Sequence, residues 1–277
     1  MLRHRLASMS RPLRPVTPAG IIAARLERAI ELAERLDDPG ELLDELRSAG
    51  ALASGLEEYV AECSTPESPA LAALAARTRA YDWGQEIVPG TTPALEAEML
   101  SGHVEGQLLK FLVAMTGAQR VLEVGMFTGY SALAIAEALG GGGQVVACEI
   151  DPNVAAFAQR GFDTTPDGAK IEIRVGPADE TLRTLAEARD AFDLIFIDAD
   201  KAGYLGYVRA ILDTGLLAPG GTICVDNTLL QGEPWLDGVR SANGEAVAEF
   251  NDAIALDPRI EQVLVPLRDG VTLIRRI

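Results

Sequence analysis

Two apolar, strand-like runs in this chain end in acid. Phe192-Asp-Leu-Ile-Phe-Ile leads into Asp198-Ala-Asp200-Lys201, and Thr222-Ile-Cys-Val leads into Asp226-Asn227. As neighbouring strands of an open parallel sheet, both would end on one crevice, the place where such sheets bind ligands. Asp198, Asp226 and Asn227 would then converge as three hard oxygen donors, a set suited to Mg2+, or to Mn2+ or Ca2+. One carboxylate at a strand end reads as a helix cap; three donors at paired ends read as a metal site. The only histidines are His4 and His103, which excludes a zinc site of several imidazoles. Lys201 is one of three lysines against twenty-one arginines. A lysine beside carboxylates in so arginine-rich a chain fits proton transfer, which guanidinium cannot perform.

A second signal lies upstream. The first strand runs into Glu123-Val-Gly125-Met-Phe-Thr-Gly129-Tyr-Ser131 and then a helix, so glycines sit where a ligand must approach the backbone. Glu149 ends the next strand, 24 residues after Gly125, where a carboxylate can accept both hydroxyls of a ribose. Together these features indicate an adenosine-type cofactor. The glycine spacing is G-x3-G rather than G-x-G-x-x-G, which argues against a dinucleotide and hence against an NAD-dependent dehydrogenase. His103, ahead of an apolar helical run, either points into the same crevice or serves as a cap or core residue.

These residues need elements to carry them. From Arg120 onward, β-branched runs (Val121–Val124, Gln144–Ile150, Ile171–Val175, Phe192–Ile197, Thr222–Val225) alternate with helical stretches near Ser131–Leu139, Pro152–Gly161, Ala178–Arg189 and Tyr204–Thr214. Strand–helix alternation with fully apolar strands predicts an α/β fold with a doubly wound parallel sheet. After a helix at Glu245–Ala255, Gln262–Val265 and Val271–Arg275 flank Arg268-Asp269-Gly270, a hairpin signal that closes the sheet with an antiparallel pair. Ahead of the sheet, helical spacing covers 20–62 with a break at Pro39-Gly40, then Ala70–Arg79, then a long helix from Thr92 to Met115 capped by Thr91 or Thr92. The division is a basic tail and helical extension over 1–62 and a catalytic domain over 63–277.

The 277 residues carry 24 basic and 41 acidic side chains, a formal charge of −17. A field of that sign repels nucleic acid and anionic membrane surfaces. The longest apolar runs are strand-sized, far below the ~20 residues of a membrane helix. Cys63, Cys148 and Cys224 are an odd number without CxxC spacing, which reads as reduced thiols and a cytoplasmic location. Arg3, Arg5, Arg11 and Arg14 make the start basic, but Pro12, Pro15 and Pro18 interrupt any amphipathic helix. That start reads as a frayed tail rather than a targeting signal.

In order, LEVGMFTGYS, ACEIDP, IFIDADKAGY, CVDNTL and PLRDGVTLIRR resemble the pattern of cation-dependent, S-adenosylmethionine-dependent O-methyltransferases of the caffeoyl-CoA and catechol type, over about residues 60–277. The resemblance implies a seven-stranded, Rossmann-like methyltransferase sheet and a homodimer. It implies that Met99, Ser101, Glu123, Gly125, Ser131, Glu149, Ala178, Asp198, Asp200 and Tyr207 hold the cofactor. It further implies a metal on Asp198, Asp226 and Asn227, with Lys201 as the catalytic lysine alongside Asp198.

Two departures bear on the acceptor. Leu230-Gln231 stands where caffeoyl-CoA enzymes have Trp-Asn, and Trp235–Gly244 lacks their Arg and Tyr cluster, which argues against a caffeoyl-CoA acceptor. The phrases CSTPESPALAALAARTRAYDW and EMLSGHVEGQLLKFL resemble a bacterial branch that makes mycosporine-type sunscreens, implying demethyl-4-deoxygadusol as acceptor and 4-deoxygadusol as product. His103, Leu230, Gln231 and Trp235 are the acceptor-side candidates. The competing readings are a catechol or caffeoyl-CoA-like phenolic methyltransferase, the dehydrogenase above, and a non-catalytic cofactor-binding subunit.

Overall fold

The computed structural model describes residues 14–83 and 96–277. The sheet strands are β1 (Arg120–Val124), β2 (Gln144–Glu149), β3 (Ile171–Val175), β4 (Phe192–Ile197), β5 (Leu217–Asp226), β6 (Ile260–Val265) and β7 (Val271–Arg276). Their order is β3-β2-β1-β4-β5-β7-β6. Strands β1 to β5 are parallel, while β7 lies between β5 and β6 and is antiparallel to both. The expected seven-stranded sheet with an antiparallel end is what forms. Strand β5 starts at Leu217, five residues before the apolar run that marks it. Pro219-Gly220-Gly221 masks the strand pattern there, and the pairing with β4 shifts register at Phe192/Leu194.

The helices are α1 (Pro18–Ala33), α2 (Gly40–Glu62), α3 (Pro69–Ala80), α4 (His103–Thr116), α5 (Tyr130–Ala138), α6 (Pro152–Phe162), α7 (Ala178–Glu187), α8 (Tyr204–Thr214) and α9 (Ala242–Ala255). Strand alternation divides the core between two faces. Val121, Val145, Leu194, Phe196 and Cys224 face α3 to α6, while Leu122, Val146, Ile195, Ile197 and Ile223 face α7 to α9. Glu123, flanked by Leu122 and Val124 of the second face, therefore turns to the first.

The long helix expected over Thr92–Met115 does not form as one element. Ala97–Met99 is a single 3-10 turn, and α4 begins at His103, because Gly102 takes φ +81° and breaks the run. The proposed caps Thr91 and Thr92, and Pro93, lie outside the described residues, as does the basic start up to Leu13. The described remainder of that start is not frayed: Pro18 is the first helical residue of α1 rather than an interruption, and Thr17 caps the helix and is buried. Among the described residues, no helix is long and apolar enough to cross a membrane. Cys148 and Cys224 are buried free thiols, and Cys63 is an exposed one.

Candidate active site

Gly125 shows why the first turn needs glycine. It takes φ +90°, and a Cβ there would lie 2.2 Å from the Asp198 carbonyl oxygen. The ends of β1 and β4 thus close to backbone contact, which brings the glycine turn beside the first acidic cluster. Glu149 ends β2, and its carboxylate accepts from the Phe127 N–H at 2.8 Å and the Asp151 N–H at 2.9 Å. Burial pushes its pKa up to about 7 against those two hydrogen bonds. Glu123 is fully buried; one oxygen accepts from Ser131 Oγ and the other has no partner. Burial, with the Asp198 and Glu149 charges behind it, pushes Glu123 up to about 8 despite the Ser131 bond.

The polar side chains at the ends of β4 and β5 are organised around one amine. Lys201 Nζ donates to Tyr204 Oη at 2.6 Å, Asn227 Oδ1 at 2.7 Å, Asp198 Oδ1 at 2.9 Å and the Ala199 carbonyl at 3.2 Å. Tyr204 Oη in turn donates to the Asp226 carbonyl at 3.0 Å, so a buried tyrosine ties Lys201 to the end of β5. Asn227 takes the left-handed φ of +56°, and its N–H donates to Asp226 Oδ1 at 2.7 Å. Asp226 is buried beside Asp198, and burial first and that charge second raise its carboxyl pKa.

These groups line one cavity of about 650 Å³, within the range of small-molecule sites. Of the residues singled out from sequence, Met99, Ser101, Gly125, Glu149, Ala178, Asp198, Asp200, Lys201, Tyr207, Asp226, Asn227, Leu230 and Gln231 lie on its wall. Tyr207 Oη donates to Asp200 Oδ1 at 2.6 Å, fixing the carboxylate beside the glycine turn. Four candidates are not on the wall. Glu123 and Ser131 are buried rather than lining it, because strand alternation turns Glu123 into the α3 to α6 face. His103 opens α4, its Nε2 2.5 Å from the Thr65 carbonyl, so it ties the start of α4 to the α2–α3 connection and is not on the cavity wall. Trp235 is half-exposed and follows the kinked turn at Leu230–Gly232, whose left-handed Leu230 and Gln231 swing the chain away.

Other site residues carry no local sequence signal. Glu105 on α4 is wholly buried, with one oxygen unpartnered and the other 3.7 Å from Arg268 Nε. Burial and then the neighbouring Asp226 raise its carboxyl pKa strongly. Arg268 sits in the β6–β7 turn and also reaches the Leu100 carbonyl at 3.4 Å. Asp269 Oδ1 accepts from the Gln231 N–H at 2.6 Å, which pins the segment after Asn227 to that same turn. Arg14, Val16 and Thr17, ahead of α1, complete the wall. A charged residue at helical spacing on an apolar helix was the one available hint for Glu105.

The O-methyltransferase family model matches residues 81–277. The chain belongs to the O-methyltransferase family. This O-methyltransferase is an S-adenosylmethionine-dependent enzyme of the caffeoyl-CoA type, which removes the dehydrogenase reading. It is 38% identical over 189 residues to caffeoyl-CoA O-methyltransferase 5 of Nicotiana tabacum, covering 65% of this chain and 78% of that one. It is 33% identical over 206 residues to a probable caffeoyl-CoA O-methyltransferase of Dictyostelium discoideum, covering 71% and 86%. Among solved structures, the S-adenosylhomocysteine-bound methyltransferase of Podospora anserina superposes with a TM-score of 0.70 at 33% identity, over 82% of this chain and 96% of that one. The O-methyltransferase of Streptomyces achromogenes involved in tomaymycin synthesis gives 0.65 at 27% identity, over 80% and 96%.

Proposed function

We propose that this O-methyltransferase acts on a hydroxyl of a small vicinal diol or enediol chelated by a divalent cation, with demethyl-4-deoxygadusol as the favoured acceptor. The observation that carries the reading is the convergence of Asp198 and Asn227 on Lys201 Nζ, with Asp226 next in line, on the wall of the cavity that also holds Glu149. The donor set fits a hard cation: two carboxylates and an amide oxygen, with crowded buried acids whose mutual repulsion a cation relieves. Among the described residues, no three His, Cys, Asp or Glu side chains form a complete metal-ligand group. The third donor of the proposed trio is thus the amide of Asn227 and not a third carboxylate.

Bound there, Mg2+, or Mn2+ or Ca2+, supplies chelation of adjacent oxygens and lowers the pKa of the hydroxyl to be methylated. Lys201 Nζ, in its neutral amine form, takes that proton onto its lone pair and becomes the ammonium. Of its four oxygen neighbours, the Ala199 carbonyl at 3.2 Å is the farthest and the one most readily exchanged for an acceptor hydroxyl. The freed oxygen attacks the methyl carbon in line as the carbon–sulfur bond breaks, leaving S-adenosylhomocysteine. Glu149 accepts the ribose hydroxyls, while Asp200 and Glu123 give the cationic donor an acidic environment. The reading takes a homodimer in a reducing compartment, supported for the latter by three unpaired cysteines.

Purified protein with S-adenosylmethionine and Mg2+ is offered catechol, caffeoyl-CoA and demethyl-4-deoxygadusol separately, and a gain of about 14 Da is followed with and without EDTA. An EDTA-sensitive gain on the enediolone is the expected outcome. A gain only on caffeoyl-CoA restores the second reading, which the identity to enzymes of that name favours and Leu230-Gln231 on the acceptor wall disfavours. A gain that EDTA does not touch removes the cation from the mechanism.

Cofactor binding carries its own pH dependence. The Glu149 and Glu123 carboxyls keep their protons to about 7 and about 8, well above the ordinary value. Below these values Glu149 on the wall and Glu123, buried off it, are both neutral, so the sulfonium cation gains no attraction from either. Affinity for S-adenosylmethionine therefore rises between roughly pH 6 and 9 as the two ionise. The raised pKa also means that a stability contribution present at low pH is lost as pH rises through it. Glu123→Gln should accordingly raise Tm at pH 9 by roughly 2–4 °C while weakening cofactor binding; titration calorimetry and thermal melts on the same samples check both.

A further inference from the structure

Building on the diol reading above, we propose that the segment Arg14–Thr17 is the outer wall of the acceptor compartment. Within it, Arg14 extends the acceptor range beyond the carboxyl-free enediolone to diols that carry an acid group at the end away from the diol. Arg14, Val16 and Thr17 line the same cavity as the metal trio, and α1 packs against Leu230–Gly232, the turn that follows Asn227. This segment lies outside the 81–277 region that the family model matches.

The segment is built in place. Thr17 is 95% buried; its Oγ1 accepts from the Gly20 N–H at 3.1 Å and donates to Glu57 Oε1 on α2 at 2.5 Å. Gly20 lets the chain fold back on itself, since a Cβ there would lie 3.1 Å from Thr17 Oγ1 and 3.3 Å from Pro15 Cβ. The α1–α2 pair thus fixes where the preceding residues run, and they run along the cavity. Val16 offers an apolar surface for the body of an acceptor.

Charge decides what kind of acceptor. The wall carries Glu96, Glu149, Asp198, Asp200, Asp226 and Asp269, which suits a cationic methyl donor and repels an anionic acceptor. Two of its cations are committed: Lys201 to four acceptors, and Arg268 to Glu105 and the Leu100 carbonyl. Arg14 makes one contact among the described residues, 3.8 Å to Glu96, with two thirds of its side chain exposed. Its guanidinium is therefore available to a carboxylate, which it can grip through two parallel N–H bonds.

The test is a matched pair, catechol and 3,4-dihydroxybenzoate, which differ by one carboxylate. Steady-state methylation is measured with Mg2+ for the wild type, Arg14→Glu and Arg14→Lys. Binding of both compounds is titrated in the presence of S-adenosylhomocysteine, so selection is read even where no methyl moves. Arg14→Glu should lower the ratio of kcat/KM for dihydroxybenzoate over catechol by about 5–10-fold, through KM rather than kcat. Arg14→Lys, which keeps the charge but not the two parallel N–H bonds, should fall between wild type and Arg14→Glu, and affinity for S-adenosylmethionine should hold. Binding without methylation of either compound by the wild type removes catechols as acceptors, confines the diol reading to the enediolone, and leaves the selectivity decided by the affinities. An unchanged ratio in Arg14→Glu, or no binding of dihydroxybenzoate to the wild type, overturns the inference.

Discussion

Asp198→Ala lowers methyl transfer by about 10³-fold, while the dissociation constant for S-adenosylmethionine rises less than tenfold. Two losses combine in the side chain. It is one of the three oxygen donors of the proposed cation site, and it holds Lys201 Nζ at 2.9 Å. The cofactor side of the site depends on the backbone of Asp198 instead: its carbonyl meets Gly125, and its N–H donates to the Val124 carbonyl at 2.9 Å. That backbone survives the substitution, so the glycine turn keeps its shape. Asp198→Asn separates the two losses, since the amide oxygen still accepts from Lys201 while the negative charge is gone. Single-turnover methylation beside calorimetric titration of S-adenosylmethionine reads both quantities. Near-wild-type turnover in Asp198→Ala contradicts the site, and equal loss of turnover and cofactor affinity contradicts the division of labour.

Lys201→Met lowers kcat by about 10²–10⁴-fold, the range of a lost general base, with cofactor affinity unchanged. The methylene chain is retained, so packing against Tyr204, whose ring centroid lies 4.8 Å from Nζ, is largely preserved. Lys201→Arg should fail to rescue. A planar guanidinium cannot match acceptors placed around a single point, and it does not release a proton in the working pH range. The distinguishing readout is the pH–rate profile: loss of a base flattens its acid limb, whereas a merely structural lysine would scale the whole profile. A Lys201→Met enzyme with the wild-type profile shape and only a few-fold lower kcat would return the lysine to a structural role.

The parts of this site that are legible in the sequence share one property: each is written locally. A strand that ends in acid, a glycine turn before a helix and an acid at the next strand end can be read within a few residues. The parallel-sheet rule then places their ends on one crevice. Where local grammar misled, a glycine or proline was the cause. Gly102 stops the helix expected through 92–115, Pro219-Gly220-Gly221 hides the first half of β5, and Pro18 starts a helix instead of preventing one. His103 and Trp235 were attractive by residue type, but the φ angles beside them decide where they point, and both miss the cavity wall.

By itself, then, the sequence determined the sheet, the glycine turn, and the strand-end positions of Asp198, Asp226, Asn227 and Lys201, because periodicity and strand-end position are properties of contiguous residues. Only the tertiary structure decided what surrounds them. Packing of α4 buries Glu105 beside Asp226, the β6–β7 hairpin brings Arg268 to Glu105 and Asp269 to the Gln231 N–H, and α1 follows Arg14, Val16 and Thr17 along the cavity. These contacts join residues from about forty to more than a hundred positions apart. They follow from how amphipathic elements share one core, which no local spacing encodes.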